Sequence, residues 1–232
     1  MLLHARVLPF QASIHCTMMF VWLILSQHET SSSALSWMAY CLCKDPELQQ
    51  KVREEIRTNI PSANADIDAT TLESLPYLNA VISEVLRLYP VAPFTMRQAV
   101  RDTTVMGYNI PKGTWFSLVM YATNRDVKLW GPDAEFFRPE RWIDVDEKTG
   151  EKRTNHHGGA SSNYAMLTFL HGPRSCIGQG FARAELRCAI AGLVGRFLLE
   201  LQRPDEEVVG AGIVTVKPKG GMHLKMTVLD GW

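Results

Sequence analysis

The spacing of apolar residues changes at Tyr89-Pro90, and this change limits the chain to a mixed fold. Before it, apolar residues recur at intervals of three and four, which is typical of amphipathic helices. After it, short runs rich in β-branched and aromatic residues are separated by turn residues, which indicates a small antiparallel sheet. The order predicts a mainly helical unit with small β-sheets, an α+β fold. The sequence contains no internal repeat and no Gly/Ser linker that would divide this unit.

The predicted helix that starts at Asp45 has the clearest signals. Asp45 can accept hydrogen bonds from exposed amides, and Pro46 suits the first helical turn. Four helices are predicted in all, at residues 28–43, 46–60, 76–88 and 181–201. Strands are predicted at residues 97–100, 104–110 and 114–120 and in two runs within 212–229. Residues 121–142 are predicted to be irregular, and residues 143–163 to form a hydrophilic surface loop.

Composition excludes several classes of protein. Of the 232 residues, 46% are hydrophobic, and 24 basic side chains balance 24 acidic ones, so a substantial core is expected and binding to nucleic acid is not. The five cysteines are odd in number and sparse, which argues against a disulfide framework.

The first residues contain an apolar run at positions 16–25. Its length is half of the ~20 residues that a membrane-spanning helix needs. It fits either the core of a signal peptide, after the weakly basic His4 and Arg6, or a buried helix that continues into the next segment. We favour the buried helix, because no small-x-small cleavage pattern follows.

A single cysteine, Cys176, stands in a glycine-rich stretch directly before a long helical pattern. The glycines permit unusual dihedral angles or close approach of a flat ligand. The positive end of the helix, together with Arg174, would favour the thiolate, which can bind a metal. The alternative is an inert cysteine in a turn, which is the commoner role of an isolated Cys-Gly pair.

The stretch resembles the haem-binding loop of the cytochrome P450 family. Five residues carry the pattern Phe-x-x-Gly-x-Arg-x-Cys-x-Gly, namely Phe169, Gly172, Arg174, Cys176 and Gly178. Three further segments resemble the family in the right order: the helical Glu84-x-x-Arg87, the segment Phe137-Arg-Pro-Glu-Arg141-Trp142, with Trp where Phe is usual, and the pair Glu29-Thr30.

The resemblance implies a set of cofactor-binding residues. Cys176 would be the axial ligand of the iron of haem b, and Phe169 would pack near its sulfur. Arg174 and Arg97 would pair with haem propionates, and His171 is a further candidate for that contact. The glycines Gly172 and Gly178 would let the loop lie close to the porphyrin.

The resemblance also implies roles away from the haem loop. Arg141 would join Glu84 and Arg87 in a buried structural network that fixes the loop, whereas the spacing of Glu84 and Arg87 alone fits a solvated ion pair. Glu29 and Thr30 would be catalytic, delivering protons to bound oxygen. The family commonly has small residues before this pair, and Gln27 here would fill part of that space.

The implied function is a haem-dependent monooxygenase that inserts one oxygen atom from O2 into a small apolar substrate. An NADPH-dependent reductase would supply electrons, and the family suggests the surface of the endoplasmic reticulum membrane. The resemblance covers about residues 28–228. We therefore expect residues 28–232 to be the C-terminal portion of a cytochrome P450 domain in a truncated chain without the usual membrane anchor, and residues 1–27 to be an atypical segment not native to the domain. The alternatives are a non-catalytic fragment that does not hold haem and, more distantly, a zinc-binding module.

Overall fold

The computed structural model describes residues 28–62, 64–65, 67–205 and 207–232. This part is mainly helical and carries five two-stranded antiparallel sheets, so the predicted fold class is confirmed. The predictions for residues 1–27, including the apolar run at 16–25 and the role of Gln27, lie outside the described residues.

The helices of the described residues include the four predicted ones, in order, and three short ones that were not predicted. They are α1 at residues 28–44, α2 at Pro46–Asn59, α3 at Ala69–Glu73, α4 at Pro76–Leu88, α5 at Met120–Thr123, α6 at Val127–Trp130 and α7 at Gln179–Arg196. Two 3₁₀ turns occupy Pro139–Trp142 and Gly172–Arg174. None of the helices in these ranges is long and apolar enough to cross a membrane.

Within the described ranges, ten strands form hairpins and local pairs. They are β1 at Thr95–Gln98, β2 at Thr103–Val105, β3 at Tyr108–Ile110, β4 at Trp115–Leu118, β5 at Ile143–Val145, β6 at Lys152–Thr154, β7 at Phe197–Leu201, β8 at Gly210–Ala211, β9 at Lys217–Pro218 and β10 at Leu224–Val228. The pairs are β1–β4, β2–β3, β5–β6, β7–β10 and β8–β9.

The main hydrophobic core lies between α1, α2, α4 and α7. Helix α4 is buried along almost its whole length, so it forms the centre of this core. A stripe on α2 at four-residue spacing, Leu48, Val52 and Ile56, packs into the same cluster. As predicted, Asp45 caps α2, its Oδ1 accepting a hydrogen bond from the Leu48 amide at 2.9 Å.

The prediction of one helix over residues 181–201 is wrong at its end. Helix α7 stops at Arg196, and the next five residues form β7, which pairs with β10. Arginines of α2 support this early end, because the last turn of a helix leaves carbonyl groups without partners. Arg53 Nε donates to the Val194 carbonyl at 3.0 Å, and Arg57 Nη2 donates to the Gly195 carbonyl at 2.8 Å.

Other boundaries also differ from prediction. The expected strand at residues 104–110 is two strands joined at Met106-Gly107, where both residues have positive φ, 49° and 86°. Such dihedrals are those of the primed turns that match the twist of a hairpin. The surface loop at 143–163 contains the β5–β6 hairpin, the irregular segment 121–142 contains α6, and residues 212–216 are not a strand.

Candidate functional site

The cysteine loop is closed by its own backbone just before α7. The Cys176 amide donates to the Phe169 carbonyl at 2.8 Å, and the Ser175 amide donates to the Gly172 carbonyl at 3.0 Å. Leu170 and Gly172 both have positive φ, 59° and 71°, which turns the chain sharply within the loop. Cys176 is exposed, so its thiol is accessible from outside the loop.

The loop leaves room for a flat group beside the sulfur. A Cβ atom at position 178 would lie 3.9 Å from Cys176 Sγ, and glycine keeps that space open. Around Gly172 and Gly180 a Cβ atom would meet no neighbour within 4 Å. The surface beside the thiol is also apolar, since Ile177 and Phe181 are both exposed. This surface is compatible with a large, flat, apolar ligand.

Two arginines could bind negatively charged groups of such a ligand. Arg97 is half-buried, and its Nη1 donates to Thr95 Oγ1 at 3.1 Å and to the Met96 carbonyl at 2.8 Å, within its own strand. Arg174 is exposed in the loop itself. No carboxylate among the described residues forms an ion pair with either guanidinium. The exposed thiol and the open space at the glycines therefore fit a flat ring such as haem, and within the described part of the chain neither arginine is engaged in an ion pair that would compete for its two carboxylates.

The structure brings Glu84, Arg87 and Arg141 together in a buried cluster. The Glu84 and Arg87 side chains are both 0% exposed. Arg87 binds Glu84 with two parallel hydrogen bonds, Nε to Oε2 at 2.9 Å and Nη2 to Oε1 at 2.8 Å. Arg141 Nε donates to the same Oε1 at 3.1 Å. The pair is thus not the solvated ion pair that its spacing alone suggests.

Asp133 and Trp142 extend this cluster. Asp133 lies 3.2 Å from Arg141 Nη2 and 2.6 Å from Arg138 Nη1, so two carboxylates face three guanidinium groups. Trp142 Nε1 donates to Glu84 Oε2 at 2.9 Å. A phenylalanine, usual at this position in the family, has no donor for that bond.

The two predicted catalytic residues lie at the start of the described part of α1. Glu29 is about half exposed, and its Oε1 is 3.5 Å from Lys217 Nζ on β9. Thr30 is half-buried. Their predicted role in proton delivery stays a prediction.

Three side chains that sequence reasoning missed support the cysteine loop. Asn124 and Thr168 bind to each other at 2.8 Å and to the end of α4. Arg183 on α7 lies over the Phe169 ring, with Cζ 5.7 Å from the ring centroid, and burial together with nearby Arg187 lowers its pKa to about 10. The i, i+4 spacing of Arg183 and Arg187 indicates that both side chains lie on one face of α7, and this face contacts α4. No sequence pattern marks Asn124 or Thr168 as a residue that supports the loop.

The cysteine pair on α1 does not resemble a metal site. Burial raises the pKa of the Cys41 thiol above its usual range and that of Cys43 to about 11, which disfavours the thiolate that binds metals. Within the described ranges, no three His, Cys, Asp or Glu side chains are grouped so as to hold a metal ion. The structure thus lends no support to a zinc-binding module.

Comparison with known proteins assigns the chain to a family. The sequence profile of cytochrome P450 matches residues 15–224, a match that begins ahead of residue 28, where we expected the resemblance to start. The chain is 49% identical over 209 residues to cytochrome P450 monooxygenase sphH of Aspergillus fumigatus, covering 88% of this chain and 37% of that protein. It is 44% identical over 229 residues to cytochrome P450 monooxygenase ptmK of Penicillium ochrochloron, covering 98% of this chain and 44% of that protein.

The fold agrees with a solved structure. A crystal structure of a cytochrome P450 (CYP102L1) superposes with a TM-score of 0.71 at 31% identity, covering 87% of this chain and 42% of that one. The chain therefore spans about two fifths of the length of the relatives it matches, and their mechanism applies to it only as a proposal. By its sequence and its fold, the chain belongs to the cytochrome P450 family.

Proposed function

We propose that the protein holds haem b through Cys176 and serves a monooxygenase reaction, in which one oxygen atom from O2 enters a small apolar substrate. The observation that carries this proposal is the exposed Cys176 thiol, fixed in a closed loop directly before α7 and open on the side of Gly178. Membership in the family implies haem as the cofactor.

The residues of the loop would divide the work of binding. Cys176 stands just before α7, whose N-terminus carries partial positive charge, and it would bind the iron as a thiolate. Arg174 and Arg97 would donate charge-assisted hydrogen bonds to the propionates. Phe169 would pack near the sulfur, and Gly172 and Gly178 would let the ring approach the backbone. When bound, a thiolate-ligated haem supplies the activation of O2 that oxygen insertion requires.

Protons would come from the start of α1. The Thr30 hydroxyl would donate a hydrogen bond at the oxygen site, and Glu29, about half exposed, can exchange protons with water. The Glu29 carboxylate forms an exposed ion pair with Lys217. Electrons would come from a donor such as an NADPH-dependent reductase.

The test is the absorption spectrum of the chain produced with haem available. We expect the reduced, carbon monoxide-bound form to show the red-shifted Soret band of thiolate ligation. The change Cys176→Ser should abolish that band, whereas Cys188→Ser, which alters another exposed cysteine on α7, should leave it unchanged. A chain that binds no haem, or a Cys176→Ser variant that keeps the band, would contradict the proposal; the first result would favour a non-catalytic fragment.

A further inference from the structure

The buried charge cluster does not touch the cysteine loop directly. The side chains of Glu84, Arg87 and Arg141 bind one another and groups between residues 124 and 142. None of their hydrogen bonds or ion pairs ends on residues 166–180, all of which the structure describes. If the charge cluster stabilises the cysteine loop, another residue must connect the cluster to the loop.

Asn124 makes that connection from a fully buried position. Its backbone carbonyl accepts a hydrogen bond from Arg87 Nη1 at 2.7 Å, which fixes it to the charge cluster. Its Oδ1 accepts from the Leu167 amide at 3.0 Å, and its Nδ2 donates to Thr168 Oγ1 at 2.8 Å, which fixes the segment entering the loop. One residue thus contacts both parts, the cluster through its backbone carbonyl and the loop segment through its side chain.

The same contacts complete the end of α4. The last four carbonyls of a helix have no partner within it, and buried ones must find partners elsewhere. Each of the four in α4 has one: Val85 O accepts from the Tyr89 amide, Leu86 O from Thr168 Oγ1, Arg87 O from Asn124 Nδ2 and Leu88 O from Arg125 Nη2. Two of the four carbonyls therefore accept hydrogen bonds from the Asn124–Thr168 pair. The segment that enters the cysteine loop is thus attached to the end of α4.

The path from this anchor to the thiol is short. Thr168 is followed by Phe169, whose carbonyl accepts the hydrogen bond from the Cys176 amide at 2.8 Å. Displacing residues 167–168 would therefore displace the acceptor that holds Cys176.

We propose that Asn124 is a positioning residue that couples the Glu84–Arg87–Arg141 cluster to the cysteine loop, with Thr168 as its partner. Asn124 acts on Cys176 only through Leu167, Thr168 and Phe169. The inference rests on the proposed function for the use of the loop, but the coupling itself is a property of the chain without haem.

Hydrogen–deuterium exchange of the chain, read by mass spectrometry, tests the coupling. We expect Asn124→Ala and Thr168→Val to speed exchange in segment 166–176 by about tenfold, while segment 136–142 keeps its protection. Thr168→Ser retains the hydroxyl and should restore protection. Asn79→Ala removes a buried amide side chain of α4 that binds the Leu72 and Leu75 carbonyls and Arg187 of α7, and it should leave segment 166–176 unchanged.

The proposal is overturned if exchange in segment 166–176 stays at the wild-type rate in both variants, if Asn79→Ala raises it equally, or if segment 136–142 loosens to the same degree. When the protein has bound haem, Asn124→Ala and Thr168→Val should each show a weaker Soret band of thiolate ligation than the wild type. Thr168→Ser should show the band at the wild-type intensity. If even the wild type shows no such band, the proposed function fails while the exchange rates still decide the coupling.

Discussion

At the scale of single residues, the Glu84 carboxylate depends on its hydrogen-bond donors more than on any one ion pair. It is fully buried and accepts from two guanidinium groups, one indole and the Arg138 amide. A buried charge is tolerated only when it is paired and fully hydrogen-bonded. Loss of any one of these donors should therefore lower the free energy of unfolding by a measurable amount.

Trp142→Phe removes one of these donors together with part of a buried ring. The change removes the hydrogen bond from Trp142 Nε1 to Glu84 Oε2 and leaves the ion pairs in place. We expect the free energy of unfolding to fall by about 1–3 kcal/mol, as measured by urea denaturation followed by circular dichroism. Trp115→Phe, at an exposed indole on β4, is the control and should change stability by less than about 0.5 kcal/mol. Equal effects of the two changes would contradict the assigned role of the indole.

At the scale of elements, local signals predicted the four longest helices and the strands between residues 95 and 118, but they missed β7 and its pairing with β10. The Asp45 cap, Pro46 and the stripe at Leu48 define α2, and Pro76 marks the start of α4, because caps and periodicity act within a few residues. The end of α7 depends instead on Arg53 and Arg57, which are more than 100 residues away in sequence. No local pattern in the sequence of Phe197–Leu201 indicates that the two arginines cap α7 or that β7 pairs with β10, Leu224–Val228.

The candidate site shows the same division. The residues Phe169 to Gly178 could be read from one short motif. Asn124 could not, because its partners Arg87 and Leu167 lie about 40 residues away on either side. A buried asparagine at the end of a short helix looks like an ordinary cap in sequence.

The β2–β3 hairpin offers a test of backbone strain. Met106 is 94% exposed and has a φ of 49°, a left-handed conformation that is costly for a side chain without a local hydrogen bond. Asparagine tolerates this conformation and favours the turn before Gly107. We expect Met106→Asn to raise the free energy of unfolding by about 0.5–1 kcal/mol in urea denaturation. Met106→Leu keeps the same backbone cost and should be neutral; a gain in that variant as well would exclude backbone strain as the cause.

The start of α4 offers a test by pH. Glu55 of α2 accepts hydrogen bonds from the Tyr77 and Leu78 amides, both at 2.9 Å, and burial raises the pKa of its carboxyl above the usual range despite these bonds. The native state therefore binds more protons than the unfolded state between the usual glutamate pKa, about 4.3, and the raised value. Between these two pKa values, the contribution of Glu55 to the free energy of unfolding should fall as pH rises. The free energy of unfolding of the wild type minus that of Glu55→Gln should therefore fall as pH increases from about 4. A value that rises with pH would mean that the pKa of Glu55 is lowered and not raised.

At the scale of the whole molecule, the C-terminal segment fastens α2 to α7. Trp232 Nε1 donates to the Ile60 carbonyl at 2.8 Å, just beyond the end of α2. Arg57 of α2 holds both the Gly195 carbonyl and, at 3.1 Å, the carbonyl of Asp230. The end of α7, where the early stop exposes carbonyl groups, is thus covered by α2 and by the last residues of the chain.

Two glycines of α7 separate this docking from helix propensity. A Cβ atom at Gly195 would lie 2.3 Å from Trp232 Cζ3, so the indole must move away, whereas one at Gly192 would meet nothing within 4 Å. Gly192→Ala should stabilise the protein by up to about 1 kcal/mol, since alanine favours a helix interior. Gly195→Ala should instead destabilise it by about 1–2 kcal/mol in urea denaturation, because the clash outweighs the same gain. In a Trp232→Ala background the clash is gone, so Gly195→Ala should become neutral or stabilising. If Gly195→Ala stabilises the wild type as much as Gly192→Ala does, the indole does not pack against α7 in solution.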